Sequence, residues 1–73
     1  MNEEQKKAIQ ESEKLVGRVV AFSEVLSAME RYKFECSEED WESATQFVSD
    51  ERTRCMNERE ALRKIIWPEH AQI

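Results

Sequence analysis

The sequence has almost none of the residues that build turns. Its 73 residues include one glycine, Gly17, and one proline, Pro68. An all-β domain needs a turn between successive strands, and turns draw heavily on these two residues, so the shortage excludes an all-β fold. Residues that favour helices are abundant instead, chiefly Glu, Lys, Arg, Ala, Gln and Leu. The composition therefore predicts an all-α protein.

Histidine and cysteine are also scarce, which argues against an enzyme and against a metal site. The chain holds one histidine, His70, and two cysteines, Cys36 and Cys55. A structural zinc site needs about four such ligands, and a nucleophile needs a positioned base within hydrogen-bond reach. A phosphate-cradling loop needs several glycines. We therefore expect a non-enzymatic protein with no catalytic residues, no cofactor and no metal.

Long apolar runs are missing as well. The most apolar stretch, residues 15–22, contains Arg18 and is far shorter than the roughly 20 residues of a membrane span. Residues 1–7 are charged, and no apolar region of a secretory signal follows them. The two cysteines do not have the spacing of a disulfide framework. These features predict a cytoplasmic protein that has free thiols and no membrane partner.

Charge is plentiful, and its balance is acidic. Charged residues make up 37% of the chain, and the net charge is −5. Proteins attract nucleic acid by neutralising phosphates with Lys and Arg, so this balance disfavours nucleic acid as a partner. A chain of this length buries only about 60% of its unfolded surface. We therefore expect that a single copy is marginally stable and needs a partner.

The first predicted helix runs from about residue 3 to residue 31. Apolar residues recur in it every seven positions, which is typical of a helix packed lengthwise against another helix. Gly17 lies inside this pattern. Either it is tolerated and lowers helix stability by about 1 kcal/mol relative to alanine, or it marks a point where a neighbouring helix approaches closely.

The second predicted helix runs from about residue 38 to residue 66, after a turn at 32–37. Ser37 is a typical N-cap residue, and acidic residues follow it in the first turn, where they complement the helix dipole. Trp67 and Pro68 end the helix, because a residue before proline avoids the helical conformation. A short tail, residues 67–73, completes a single helical domain.

Two long helices with a short connection predict an antiparallel hairpin. One facing helix cannot cover the wide apolar stripe of the first helix, so we expect two hairpins to dimerise into a four-helix bundle. The alternative is a monomer in which the first helix breaks near Gly17 or Ser23 and folds back on itself. The predicted core and dimer seam consists of Leu15, Val19, Phe22, Leu26 and Met29 in the first helix and Trp41, Val48 and Leu62 in the second.

A second set of residues, in the middle of the second helix, is the candidate partner face. The apolar line of this helix is narrow there, and charged residues crowd it. The arginines of the set could instead track DNA phosphates, which makes a transcriptional modulator the alternative function. Acidic residues are interleaved with them, so a solvated, salt-bridged surface is the simplest interpretation. The set consists of Glu51, Arg52, Met56, Arg59 and Arg63.

Two resemblances bear on function. Residues 29–38 form a basic, aromatic and acidic stretch before a serine-capped helix, and they resemble the centre of the haemolysin expression-modulating family. Those small helical bacterial proteins bind nucleoid-structuring repressors. In length, acidity and helical character, the whole chain is similar to the short early-region proteins of lambdoid phages. That likeness implies a regulatory or host-modulating role. Together with the dimer expected from the apolar stripe, it predicts a homodimeric regulator that binds a host or regulatory protein.

Overall fold

Two α-helices make up the hairpin that the computed structural model describes over residues 1–68. Helix α1 spans Glu3–Glu30 and helix α2 spans Glu38–Ile66. The described residues contain no strand, and the two helices pack against each other along their length. The predicted all-α helical hairpin is confirmed. Residues 69–73, which include His70 and most of the predicted tail, lie outside the described part of the chain.

Each helix begins at a side-chain cap. The backbone N–H of Gln5 donates to Asn2 Oδ1 at 2.8 Å, and the N–H of Asn2 donates back to Gln5 Oε1 at 3.2 Å. This reciprocal capping box satisfies two amides that the helix itself leaves unpaired. At α2, Ser37 Oγ accepts from the N–H of Asp40 at 3.1 Å. Both helix starts are therefore fixed by local sequence.

Helix α1 is continuous through its glycine. Its hydrogen-bonded span runs without a break from Glu3 to Glu30, so the alternative of a first helix broken near Gly17 or Ser23 is wrong. A Cβ built on Gly17 would meet nothing within 4 Å. Helix α2 therefore makes no close approach at this glycine, and Gly17 is a helix-interior residue without a packing role inside the hairpin.

The register of the hairpin is visible at both of its ends. Trp41 Nε1 donates to the carbonyl oxygen of Met29 at 3.1 Å, and Gln5 Nε2 reaches the carbonyl oxygen of Ile66 at 3.5 Å. Midway between these contacts, Leu15 of α1 comes level with Cys55 of α2. Both side chains are buried, so they form the centre of the helix–helix contact.

The core of this hairpin is small. Among the described residues only four hydrophobic side chains are buried, and none is completely enclosed. The molecule measures 51 × 21 × 13 Å, and its smallest dimension is close to the diameter of one helix, about 10–12 Å. Domains usually stack at least two layers around a core. The hairpin is a single layer. Its buried residues are Ala8, Leu15, Cys55 and Ile66.

Candidate interaction surfaces

The described residues offer three candidate surfaces for interaction. Within residues 1–68, no three His, Cys, Asp or Glu side chains converge closely enough to hold a metal ion. Neither α1 nor α2 is long and apolar enough to cross a membrane. Both cysteines are free thiols, Cys36 exposed and Cys55 buried. The remaining candidates are the two broad faces of the layer and the turn.

One broad face of the hairpin contains a groove between the two helices. Ser12 of α1 and Met56 of α2 both line this groove. Val16 lies on the same side of α1 as Ser12, because residues four apart are neighbours on a helix. Met56 is 47% exposed. We call this surface the Met56 face. The other residues around its groove are Arg59, Glu60, Arg63, Ile66 and Trp67.

The opposite broad face carries Phe47 and Val25. Phe47 precedes Met56 by nine residues and Val25 follows Val16 by nine residues, and nine residues turn an α-helix through two and a half turns. Both side chains therefore project on the side away from the Met56 face. Phe47 is 68% exposed and is the most exposed large apolar residue within either helix. We call this surface the Phe47 face.

The predicted seam residues lie at different depths between the helices. Leu15 is buried, and the other seven are partly buried. The predicted seam does not include Ile66, although this buried residue follows the seam residue Leu62 by four positions and therefore lies on the same side of α2. The seven partly buried residues are Val19, Phe22, Leu26, Met29, Trp41, Val48 and Leu62.

The five residues of the predicted partner face do not stay together. Met56, Arg59 and Arg63 line one groove. Glu51 instead follows Phe47 by four residues on the other face, and its Oε2 accepts from Arg54 Nη2 at 2.6 Å. Helical spacing alone could have separated Glu51 from Met56, because residues five apart point about 140° away from each other around a helix.

Arg52 occupies an unusual position between the helices. Its side chain is partly buried, and its Nε atom is buried without a hydrogen-bond partner in the described structure. A buried polar atom without a partner costs about 1–3 kcal/mol. Arg52 therefore belongs to the helix–helix contact more than to an open charged surface.

The turn is the third candidate surface. Phe34 at its tip is 93% exposed. Lys33 Nζ lies 4.9 Å from the centre of the Trp41 ring, and the thiol of Cys36 donates to the carbonyl oxygen of Tyr32 at 3.7 Å. These contacts order the turn around Trp41 and leave Phe34 projecting outward.

The chain matches no protein-family model, no curated protein and no solved structure.

Proposed function

We propose that this chain is a non-enzymatic protein-interaction module that works as a homodimer and regulates a second protein by binding it. The observation that carries this proposal is the single-layer shape. A compact chain of 73 residues has a radius of gyration of about 11 Å, whereas this hairpin has 16.2 Å. A single layer leaves apolar side chains on both broad faces without a covering element.

The surface area supports the same proposal. The hairpin exposes 5930 Å², whereas a folded monomer of its mass exposes about 4,700 Å². The difference, about 1,200 Å², exceeds the roughly 800 Å² that each partner buries in a standard protein–protein interface. A second hairpin stacked on one broad face would cover such an area and make a four-helix bundle.

The Met56 face supplies the surface for a different partner. Arg59 and Arg63 border its groove together with Glu60, which lies 3.8 Å from Arg63. Met56 gives the groove an exposed apolar side chain. Arginine and methionine are enriched in protein interfaces, where they combine apolar area with adaptable contacts. The chemistry fits an acidic segment with an apolar side chain, offered by a bacterial regulatory or host protein in the cytoplasm. The resemblance to phage early-region proteins is the reason for placing the partner in a bacterial host.

The direct test is capture of partners from a bacterial lysate by the tagged protein. We expect the wild type to capture at least one protein that the Arg59→Glu/Arg63→Glu variant does not capture. The matched control is Lys6→Glu/Lys64→Glu, which changes the net charge equally at exposed residues outside the groove. Identical captured proteins for all three forms would contradict a partner site in this groove.

A second candidate function, DNA contact by a transcriptional modulator, is favoured by one observation. Arg59 and Arg63 line the same groove, as residues that track phosphates would. Arg52, the third arginine of that hypothesis, is partly buried, and the net charge of −5 works against it. A gel-shift assay at two salt concentrations separates the functions. Salt-sensitive binding that an Arg52→Ala/Arg59→Ala variant loses would favour DNA contact.

A further inference from the structure

The Phe47 face combines the most exposed aromatic side chain of the helices with small apolar neighbours. Phe47 and Val25 are both exposed, and the register places Val25 near the height of Phe47. Ala44 and Ala21 lie beside them, one turn from Phe47 and Val25 respectively. This half of the face, next to the turn, is therefore an apolar patch on which another helix can approach closely.

The other half of the Phe47 face is charged, and the net charges of its two helices are opposite. Glu11 lies 3.6 Å from Lys14 on α1, and Arg54, seven residues after Phe47, lies 2.6 Å from Glu51 on α2, so each helix keeps only a net excess of one sign. Lys14 and Arg18 of α1 precede Val25 by eleven and seven residues, so they lie on its side of the helix. Glu51 and Glu58 of α2 follow Phe47 by four and eleven residues and share its side in the same way. Lys14 and Arg18 lie at about the same position along the hairpin axis as Glu51 and Glu58, because Leu15 lies level with Cys55.

Two symmetric arrangements can stack two Phe47 faces on each other. If the two-fold axis runs parallel to the helices, both turns lie at the same end, and α1 of one copy covers α2 of the other. If the axis crosses the helices, the turns lie at opposite ends, and each helix covers its own equivalent. Closed two-fold dimers are the commonest assemblies of soluble proteins.

The charges distinguish the two arrangements. With the turns together, Lys14 and Arg18 of one copy lie over Glu51 and Glu58 of the other, and the apolar patches also meet. With the turns apart and the hairpins fully overlapped, Lys14 of one copy lies near Arg18 of the other, and the apolar patch of each copy meets the charged half of the other. Like charges brought together across an interface disfavour association. Both arrangements make every adjacent pair of helices antiparallel, as in up-down bundles, so the direction of the helices does not distinguish them.

We infer that two copies of this chain pack through their Phe47 faces with both turns at the same end. This inference rests on the homodimer of the proposed function and names its interface. It leaves the Met56 face of each copy on the outside, so one dimer offers two equivalent grooves to its partner. The excess exposed area, about 1,200 Å² over a compact monomer, is sufficient for a standard interface.

The position of the turns can be measured through Cys36. This thiol is exposed at the turn, whereas Cys55 is buried, so a nitroxide label applied under native conditions modifies Cys36. If the turns lie at the same end, both labels lie within one cross-section of the bundle. That cross-section is 21 Å wide and is two layers of 13 Å deep. Turns at opposite ends separate the labels by about the full 51 Å length. We expect a label–label distance below about 35 Å, roughly the diagonal of that cross-section.

The interface itself is tested by one substitution on each face. Phe47→Glu places a carboxylate in the proposed interface and should raise the dimer dissociation constant about a hundredfold or more, because burying an unpaired charge is costly. Met56→Glu introduces the same group on the opposite face and should leave the dissociation constant within about threefold. Circular dichroism over a concentration series shows whether a weakened dimer keeps its helices.

The possible outcomes are distinct. A short label distance and selective dissociation of the Phe47→Glu variant support the inference. A distance near 51 Å, or dissociation caused by Met56→Glu alone or by both variants, overturns the assignment while the homodimer stands. A wild-type protein that remains monomeric overturns both the interface and the homodimer of the proposed function. Retained dimerisation in both variants also overturns the Phe47 interface.

Discussion

The indole Nε1–H of Trp41 donates to the backbone carbonyl oxygen of Met29 at 3.1 Å and ties the start of α2 to the end of α1. The acceptor lies in the last turn of α1 and also accepts from the backbone N–H of Tyr32 at 3.0 Å. Lys33 adds a cation–π contact on the same ring. Trp41 is therefore the residue that closes the hairpin at its turn.

Replacing Trp41 by phenylalanine should loosen this end of the hairpin. Phe keeps an aromatic ring but removes the N–H donor, so we expect the free energy of unfolding to fall by about 1–2 kcal/mol. Urea unfolding followed by circular dichroism at a fixed protein concentration measures the change. Lys33→Met is the control for the cation–π contact and should cost less than about 1 kcal/mol, because this contact is exposed. An unchanged midpoint for Trp41→Phe would show that the hydrogen bond is unimportant.

Substitution of Leu15 by alanine should be among the most destabilising changes in the hairpin. Its side chain is 4% exposed and lies level with Cys55 in the middle of the contact. Truncating a buried leucine typically costs about 2–5 kcal/mol. Val20→Ala is the matched control, because Val20 is 51% exposed on the same helix, and it should change stability by less than about 0.5 kcal/mol. Equal effects of the two substitutions would mean that the core is misplaced.

Gly17→Ala should stabilise the protein. No atom lies within 4 Å of the Cβ that the substitution adds, and alanine in a helix interior is favoured over glycine by about 1 kcal/mol. The thermal unfolding midpoint should therefore rise without loss of dimer. A lower midpoint, or dissociation into monomers, would indicate that another chain packs closely at Gly17.

The two thiols should differ sharply in reactivity. Cys36 is exposed and Cys55 is buried, and a buried amide or thiol reacts only when the structure opens locally or globally. A thiol-specific reagent should modify Cys36 rapidly in native protein and Cys55 only at the rate of unfolding. Mass spectrometry of the modified peptides separates the two sites. Rapid modification of Cys55 in native buffer would contradict the packing of the two helices.

The helices could be predicted from sequence because their signals are local. Ser37 marks the start of α2, Pro68 follows its end, and the seven-residue recurrence of apolar positions indicates lengthwise packing. These features depend on the chain within a few residues, and the short connection then leaves little choice but an antiparallel hairpin. The continuity of α1 through Gly17 was less evident, because a single glycine permits either a break or an uninterrupted helix.

The surfaces could be predicted only in part. Periodicity fixes the angle between residues of one helix, but the orientation of that helix toward its neighbour is decided by packing. Closeness along the chain groups Glu51 with Met56, although a spacing of five residues already separates them by about 140° around the helix, and the hairpin places them on opposite faces. Arg52 is likewise partly buried between the helices, although its charge suggested an open surface. The homodimer, its regulatory role and its partner stay predictions.

Sedimentation equilibrium of the wild-type protein over a micromolar concentration range tests the central proposal most directly. A single-layer hairpin that requires a second copy should have a mass of twice 8.7 kDa, with dissociation visible on dilution and accompanied by loss of helical signal. A stable, fully helical monomer of 8.7 kDa at every concentration would contradict the proposal that this hairpin acts as a homodimer.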